Sequence, residues 1–229
     1  MTDGTPERFR YPTAFTVYDG RQHVLGASML SDIDAHLRAS WPDGAKTPCA
    51  VKRAKFLHKT GCDGEITVQR GGGIRDLPKD AACSVTGQYG SGPFLAWFVP
   101  DTGAPVTRNV QSGHMIEAVD PAGDFAGRCR IANDRLDKFL LQIVDANKHV
   151  QLASAPLRDR KWVSELVSIE NFAMCPALCP VDSVLEIENL ANRTAADRIF
   201  TLNRLRFADR EGAPVTLDMG FSFFPEQSS

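Results

Sequence analysis

The sequence predicts a mainly β protein, built as an antiparallel β-sandwich or barrel. Apolar residues recur at every second position in several segments, which is the spacing of strands with one buried face. Turn signals rich in Asp, Gly and Pro separate these segments at roughly ten-residue intervals. The chain has 229 residues, of which 43% are hydrophobic, so it can bury a substantial core. No linker divides it, and a single domain over residues 1–229 is therefore expected.

A strand and a short helix form the expected N-terminal annex, residues 1–46. The segment TAFTVYDG alternates apolar and polar residues and ends in an Asp-Gly turn. In SMLSDIDAHLRASWP the apolar residues fall at near-helical spacing, a serine can cap the start, and a proline ends the pattern. The helical positions are Leu30, Ile33, Leu37 and Trp41.

The sandwich itself is expected over residues 47–225. The clearest strand is PVTLDMGFSFF, in which five apolar residues occupy alternate positions. The segment IFTLNRLRF changes phase, which predicts a bulge near Asn203. Residues 182–196 fit either a strand or a helix, and we favour a strand that ends near Leu190. Further strands are expected around Ile66–Val68, Phe94–Val99, Phe139–Ile143 and Val163–Ile169.

Composition and charge exclude several classes of function. The formal net charge is −2, so no general excess of positive charge indicates nucleic-acid binding. The N-terminus lacks the apolar core of a secretory signal, and no segment is long and apolar enough to insert into a membrane. A cytoplasmic location is therefore expected, with the 6 cysteines reduced.

A local basic segment is the exception to this balanced charge. Five cations fall within a short stretch that contains no acidic residue, which suits either a solvated strand face or a surface that binds an anionic group. The five cations are Lys46, Lys52, Arg53, Lys55 and Lys59.

From residue 90 to residue 225 the order of features resembles a carbohydrate-binding β-sandwich of the jelly-roll type, found as a non-catalytic module. The segments KFLLQIVDANKHVQL, RDRKWVSELVSIENF, SVLEIENL and IFTLNRLRFAD resemble successive strands of such a module. The resemblance implies a jelly-roll-like antiparallel β-sandwich with a short N-terminal helix, a sugar-binding face and a structural calcium.

Sugar binding needs a flat aromatic face and polar side chains that bond the hydroxyl groups. Trp162, Trp97 and Tyr89 are the candidate aromatic residues, and Lys52 and Lys55 are candidate polar contacts. Calcium takes oxygen ligands from turns. The candidate ligands are Asp120, Asp124, Asp145 and Asp209, although turn aspartates more often cap and bend the chain.

The leading functional expectation is a non-catalytic glycan-binding or accessory module beside enzymes that build polysaccharide inside the cell. No catalytic residue is assigned, and the partner is a carbohydrate or another protein. A purely structural, protein-interaction sandwich is a further alternative.

Another alternative is an acyl thioester enzyme of the hot-dog class, a thioesterase or a dehydratase. The N-terminal order of strand, helix, long strand and strand is hot-dog-like, and Lys52 and Lys55 would suit a phosphopantetheine phosphate. His23 or Asp34 would then be the base. We expect residues 182–196 to discriminate, since a helix there favours a double hot-dog and a strand favours the jelly roll.

Overall fold

The chain divides into two compact units, Met1–Ser112 and Gly113–Ser229. The described part of each unit contains one α-helix and a mostly antiparallel set of strands, so the expected mainly β, antiparallel architecture is confirmed. The expectation of a single domain stays a prediction. The computed structural model describes residues 7–15, 17–18, 24–41, 49–71, 74–90, 92–103, 105–106, 108–110, 119–132, 135–174, 179–180 and 182–226.

In the described part of unit 1, five strands form an antiparallel sheet in the order β1 (Arg8–Pro12), β4 (Gly64–Arg70), β6 (Gly92–Pro100), β5 (Cys83–Tyr89) and β3 (Cys49–Phe56). Two short strands, β2 and β7, form a separate parallel pair. The elements are β1 (Arg8–Pro12), β2 (Val17–Tyr18), α1 (Gly26–Ser40), β3 (Cys49–Phe56), β4 (Gly64–Arg70), β5 (Cys83–Tyr89), β6 (Gly92–Pro100) and β7 (Asn109–Val110).

The helix α1 packs against β4, β5 and β6 of the same unit. Leu30, Ile33 and Leu37 are fully buried, as the spacing predicts, and Trp41 follows the last turn. The helix begins at Gly26, so Ser28 and Ser31, the serines expected to cap it, lie inside the helix, and no side chain caps its start. Gly26 is required there by close packing, because a Cβ would meet the ring of Phe56 at 2.5 Å.

Unit 2 has six strands in the order β10-β13-β12-β11-β9-β8, again with antiparallel pairing. The helix α2 packs against β9, β10, β11 and β8. The elements are β8 (Asp120–Gly123), β9 (Ala126–Ile131), α2 (Leu136–Ala153), β10 (Trp162–Met174), β11 (Ser183–Ala195), β12 (Arg198–Ala208) and β13 (Pro214–Pro225).

The two units agree in some strand pairings, which the sequence does not reveal as a repeat, but not in all of them. In unit 1 the third strand after the helix, β5, lies beside β3, whereas in unit 2 the fourth, β13, lies beside β10. Among the described strands, the larger sheet takes β1 from before α1 and β3, β4, β5 and β6 from after it. In unit 2 it takes β8 and β9 from before α2 and β10, β11, β12 and β13 from after it.

The strand before the helix pairs with the second strand after it, as β1 pairs with β4 and β9 with β11. The first strand after the helix lies at one end of the strand order of its unit, β3 in unit 1 and β10 in unit 2. The strand from before the helix, β1 or β9, lies at or next to the other end. A sheet packed on one helix therefore replaces the two facing sheets of a jelly-roll sandwich, and that expectation is wrong.

The strand expected around Phe139–Ile143 is also wrong, since these residues lie in α2. The run is apolar at nearly every position, so alternate residues matched a strand by coincidence. Within residues 182–196, β11 spans Ser183–Ala195, so the preference for a strand is confirmed. Its expected end near Leu190 is wrong, because the strand continues past a bulge between Asn189 and Ala191. Among the described residues, neither helix has the length and apolar character that crossing a membrane requires.

The phase change in IFTLNRLRF has a different origin from the one expected. β12 runs without a bulge, and its buried positions are Thr201, Asn203, Leu205 and Phe207. The irregularity lies opposite Asn203 in the partner strand, between Asn189 and Ala191. Half of the buried face of β12 is therefore polar, which is why the apolar pattern seemed to shift.

Candidate active site

Asp34 is a buried carboxylate on α1, with only 4% of its surface exposed. Arg38 lies one helical turn further on and donates two hydrogen bonds to it, from Nε to Oδ2 at 2.9 Å and from Nη2 to Oδ1 at 3.0 Å. Burial raises the pKa of Asp34 above its ordinary value, while the hydrogen bond and charge of Arg38 oppose that rise. A buried carboxyl group with a raised pKa is a candidate proton donor and acceptor.

Cys49 and Tyr89 lie beside this ion pair because of the register between β3 and β5. Ala50 pairs with Gln88, so the preceding residue of β3 and the following residue of β5 meet at the end of the ladder. Burial and the charge of Asp34 raise the pKa of Cys49 to about 12, against the effect of Arg38. The Cys49 thiol is therefore neutral at physiological pH and is not a nucleophile.

The Tyr89 hydroxyl is buried and has no hydrogen-bond partner among the described residues. Burial raises the pKa of Tyr89; Arg38 opposes that rise, and Asp34 and Cys49 add to it. The phenol therefore keeps its proton and can donate a hydrogen bond. An unpaired buried hydroxyl costs about 1–3 kcal/mol, which a ligand oxygen would recover.

Aromatic rings surround this end of unit 1. The Trp41 ring lies edge-on to Phe9 with centroids 5.8 Å apart, and 6.3 Å from the centroid of Tyr89. Its indole N–H donates to Glu7 Oε2 at 2.8 Å, and the guanidinium of Arg70 lies 4.9 Å from the ring centroid. The Tyr89 ring thus has the aromatic ring of Trp41 as a neighbour, and the charged side chains of Glu7 and Arg70 contact the other parts of that indole.

His36 does not pair with Asp34, although both lie on α1. Residues two apart point to different faces of a helix. The His36 ring stacks on Tyr11 with centroids 4.2 Å apart, and burial lowers its pKa. His23, the other base candidate of the hot-dog alternative, lies outside the described residues.

The aromatic residues expected to bind sugar do not expose flat faces. Trp97 is 4% exposed and packs with Leu95, and Arg8 lies 5.2 Å from its ring centroid. The Trp162 ring at the start of β10 is covered by Arg160 at 4.0 Å. Trp97 therefore lacks the open aromatic surface on which a sugar ring packs, and Arg160 occupies one face of the half-buried Trp162.

The basic surface of β3 is real and has a structural cause. A bulge between Val51 and Arg53 breaks the alternation of the strand, so that Lys52 and Arg53 are both exposed. Lys55 is half-buried further along the strand, and Lys59 is exposed after it. Lys46 lies outside the described residues.

The four candidate calcium ligands occupy different elements. Asp120 and Asp124 are exposed on the β8–β9 hairpin, and Asp145 lies in α2 rather than in a turn. Asp209 Oδ1 accepts hydrogen bonds from the backbone N–H groups of Glu211 at 2.9 Å and of Ala213 at 2.8 Å, so it caps a turn. Within the described ranges, no three His, Cys, Asp or Glu side chains come together as a metal site would require.

A buried amide cluster in unit 2, formed by Asn147, Gln151 and Asn203, was not anticipated. All three side chains are fully buried between α2 and β12. Asn147 Oδ1 accepts from Gln151 Nε2 at 3.1 Å and from Asn203 Nδ2 at 2.9 Å. Thr201 donates to Gln151 Oε1, so the orientation of each amide is determined by its neighbours.

The cluster continues outward to the surface of β11. Asn189 donates to Asn203 Oδ1 at 2.8 Å, and the exposed Asn192 donates to Asn189 Oδ1 at 2.9 Å. At the buried end, Asn147 Nδ2 has no acceptor among the described residues. The only signal in the sequence was the presence of amides at positions where a buried face would be apolar.

No protein-family model matches this chain, and no curated protein matches it significantly. Its similarity is to solved structures of polyketide synthase dehydratase domains. The dehydratase domain from the CurJ module of curacin polyketide synthase superposes with a TM-score of 0.56 at 12% identity, over 99% of this chain and 95% of that one. GphF dehydratase 1 gives 0.54 at 11% identity, over 99% and 97%. The dehydratase domain of PpsC from Mycobacterium tuberculosis gives 0.52 at 11% identity, over 99% and 97%.

These neighbours have the hot-dog fold, in which a sheet wraps around a helix. The resemblance to a carbohydrate-binding jelly-roll module was therefore wrong, and the glycan-binding function inferred from it falls with it. Residues 182–196 also do not discriminate between a double hot-dog and a jelly roll as expected. The helix of unit 2 is α2, which precedes that segment. At 11–12% identity the likeness establishes the fold, and the function has to be argued from the site.

Proposed function

We propose that this chain acts on acyl thioesters, and that it removes water from a β-hydroxyacyl thioester with Asp34 as the group that transfers the proton. The observation that carries the proposal is Asp34 itself, a buried carboxyl group whose pKa is raised, on the helix of a unit with this fold. The solved dehydratase domains of similar fold favour dehydration over other reactions of acyl thioesters.

The reaction breaks a C–H bond beside the thioester carbonyl and the C–O bond of the β-hydroxyl group. The products are an α,β-unsaturated thioester and one water molecule, so no redox partner is needed. A carboxyl group with a raised pKa can exchange a proton with the substrate closer to neutral pH than an ordinary aspartate can. Arg38 holds the Asp34 carboxylate through both oxygens and keeps it in one orientation.

Tyr89 supplies the second role in this proposal. Its buried hydroxyl, unpaired among the described residues, would donate a hydrogen bond to the thioester carbonyl oxygen. That bond would stabilise the negative charge that develops on the oxygen when the neighbouring proton leaves.

Lys52, Arg53 and Lys55 would bind the phosphate groups of the thioester carrier. Cys49 lies close enough to Asp34 for the carboxylate to affect its pKa. Lys52 follows Cys49 by three residues in β3, a distance of about 10 Å along the strand, so the basic surface begins near the candidate active site. Exposed side chains on a basic strand surface suit a phosphate that remains hydrated.

The first experiment is calorimetric binding of octanoyl-CoA, free CoA and the octanoyl thioester of N-acetylcysteamine, which lacks phosphates. We expect the acylated ligands to bind, and charge reversal in Lys52→Glu plus Arg53→Glu to weaken octanoyl-CoA while leaving the N-acetylcysteamine thioester unchanged. Binding of oligosaccharides without any binding of acyl thioesters would refute the proposal.

Product analysis by mass spectrometry then identifies the reaction. Incubation with β-hydroxyoctanoyl-CoA should give the unsaturated thioester. Free CoA with β-hydroxyoctanoic acid would instead identify a thioesterase. The unchanged substrate, bound tightly, would identify an acyl-binding protein without catalysis.

A further inference from the structure

The candidate active site is closed in this structure. Asp34 has 4% of its surface exposed and Tyr89 has 2%, while Cys49 beside them has none. A ligand therefore cannot reach the Asp34 carboxylate or the Tyr89 hydroxyl unless a covering side chain moves. The contacts around these groups show which side chain can move at the least cost.

Trp41 covers the Tyr89 ring from the end of α1. It follows Asp34 by seven residues, or about two turns, and therefore lies on the same side of the helix as the carboxylate. The centroids of the Trp41 and Tyr89 rings are 6.3 Å apart. The Trp41 backbone has left the helical conformation, with φ −133° and ψ 74°, so its side chain can turn while α1 stays intact.

Two half-exposed side chains, Glu7 and Arg70, form a latch that holds the Trp41 ring. The indole N–H donates to Glu7 Oε2 at 2.8 Å, and the guanidinium carbon of Arg70 lies 4.9 Å from the ring centroid. The Arg70 backbone N–H donates to the Glu7 carbonyl oxygen at 2.9 Å, and the two side chains approach to 4.0 Å. Because these side chains are 52% and 50% exposed, water can replace their contacts with the ring when it moves.

The other contacts around the candidate active site cost more to break. The buried Asp34 carboxylate accepts two hydrogen bonds from Arg38, at 2.9 and 3.0 Å, and separating them would leave an unpaired buried charge. The strands β3 and β5 are in close contact, because a Cβ on Gly87 would lie 2.1 Å from the carbonyl oxygen of Ala50. Local opening begins where the contacts are weakest. Among the described residues, the latch is therefore the part of this site that opens at the least cost.

We propose that Trp41 is a gate on the candidate active site, held shut by the latch, and that its rotation admits a ligand to Tyr89 and Asp34. When the indole turns away, its N–H exchanges the Glu7 carboxylate for water, while the Asp34–Arg38 pair stays in place. The identity of the ligand as an acyl thioester rests on the proposed function, and the gate itself does not.

Cys49 and Cys83 report the opening of the gate. Both thiols are fully buried in unit 1, and burial raises the pKa of each to about 12, so neither reacts with iodoacetamide in the closed protein. Cys49 adjoins Tyr89 at one end of the β3–β5 ladder, whereas Cys83 lies at the other end of β5, about 20 Å away. Opening of the gate should therefore expose Cys49 alone, while unfolding of unit 1 exposes both cysteines.

The experiment measures the labelling rate of each cysteine in the native full chain by peptide mass spectrometry. Glu7→Ala removes the acceptor of the indole N–H and should raise the Cys49 rate about three- to tenfold, as the loss of one hydrogen bond predicts. The Cys83 rate should not change. Glu65→Ala is the matched control, because it removes the same charge from the same sheet, where Glu65 pairs with Arg10 at 3.7 Å. It should leave both rates within about twofold of the unsubstituted protein.

A double-substitution cycle shows whether Glu7 acts through Trp41. Trp41→Phe keeps a ring but removes the N–H, so Glu7→Ala should have little further effect in that background. If Trp41→Phe does not fold, the rates of Glu7→Ala and Glu65→Ala decide alone. An equal rise for Cys49 and Cys83, an unchanged Cys49 rate, or a full effect of Glu7→Ala in Trp41→Phe overturns the gate.

The labelling uses no thioester, so the gate and the proposed function fail separately. A raised Cys49 rate in Glu7→Ala supports the gate even if octanoyl-CoA does not bind. An unchanged rate overturns the gate even if octanoyl-CoA does bind.

Discussion

Asn203→Asp tests whether the amide cluster is ordered by its hydrogen bonds. The substitution preserves shape, but it replaces the Nδ2 donor with an oxygen that faces the Phe125 carbonyl at 3.0 Å and Asn147 Oδ1 at 2.9 Å. Two bonds are lost and a carboxylate is buried without a counter-charge. An unpaired buried charge of this kind costs about 3–5 kcal/mol, and at about 2–4 °C per kcal/mol the midpoint of thermal unfolding should fall by about 6–20 °C.

The assay is urea unfolding followed by circular dichroism between about pH 5 and about pH 8. Burial raises the pKa of the introduced carboxyl group, and its protonation restores one donor. The stability deficit should therefore shrink as the pH falls and grow as the pH rises. Asn192→Asp, the same change at an exposed position, should cost less than about 0.5 kcal/mol. A deficit below about 1 kcal/mol for Asn203→Asp, or one independent of pH, would refute the reasoning.

Three further predictions concern packing, acid stability and thiol reactivity. Gly87→Ala places a Cβ 2.1 Å from a carbonyl oxygen of β3, so unfolding experiments should show a loss of about 1–3 kcal/mol, whereas Gly103→Ala, with no atom within 4 Å, should be neutral. Asp218 has a lowered pKa because Arg204 donates hydrogen bonds to it, so its advantage over Asp218→Asn in urea unfolding should be present at neutral pH, begin to decline at about pH 4 and be lost below the lowered pKa; an advantage that grew with acidity would contradict this. Burial raises the pKa of Cys83 to about 12, so iodoacetamide should label the partly exposed Cys62 and reach Cys83 only after unfolding, as judged by peptide mass spectrometry.

The amide cluster explains why parts of the fold escaped prediction. Strict alternation identified β13, and helical spacing identified α1, because the apolar residues at their buried positions keep the period of a strand or a helix. In α2 and β12 the buried faces include Asn147, Gln151, Thr201 and Asn203. Apolar periodicity is therefore weak in both elements. Part of α2 was therefore predicted to be a strand, and β12 was predicted to contain a bulge that lies in β11 instead.

The candidate active site depends on contacts that periodicity does not report. Asp34 could be named as a base because it lies on a helix, and Tyr89 could be named as a ligand contact because it is aromatic. The register of β3 against β5 brings Cys49 and Tyr89 together from positions far apart in the chain. The helix α1 then places Asp34 so close that, in addition to burial, its charge raises the pKa of both groups. The raised pKa of Asp34 also requires its burial, which only the packed helix creates.

The conversion of β-hydroxyoctanoyl-CoA by Asp34→Asn, compared with Asp32→Asn, is the most direct test of the proposed function. Asp32 lies on the same helix and loses the same charge, but it is half-exposed. If Asp34 transfers the proton, kcat/KM should fall by at least about a hundredfold in Asp34→Asn, while Asp32→Asn stays within about threefold of the unsubstituted protein. The account would be contradicted if both variants lost the same activity, or if Asp34→Asn were as active as the unsubstituted protein. It would also be contradicted if none of the three proteins converted the substrate.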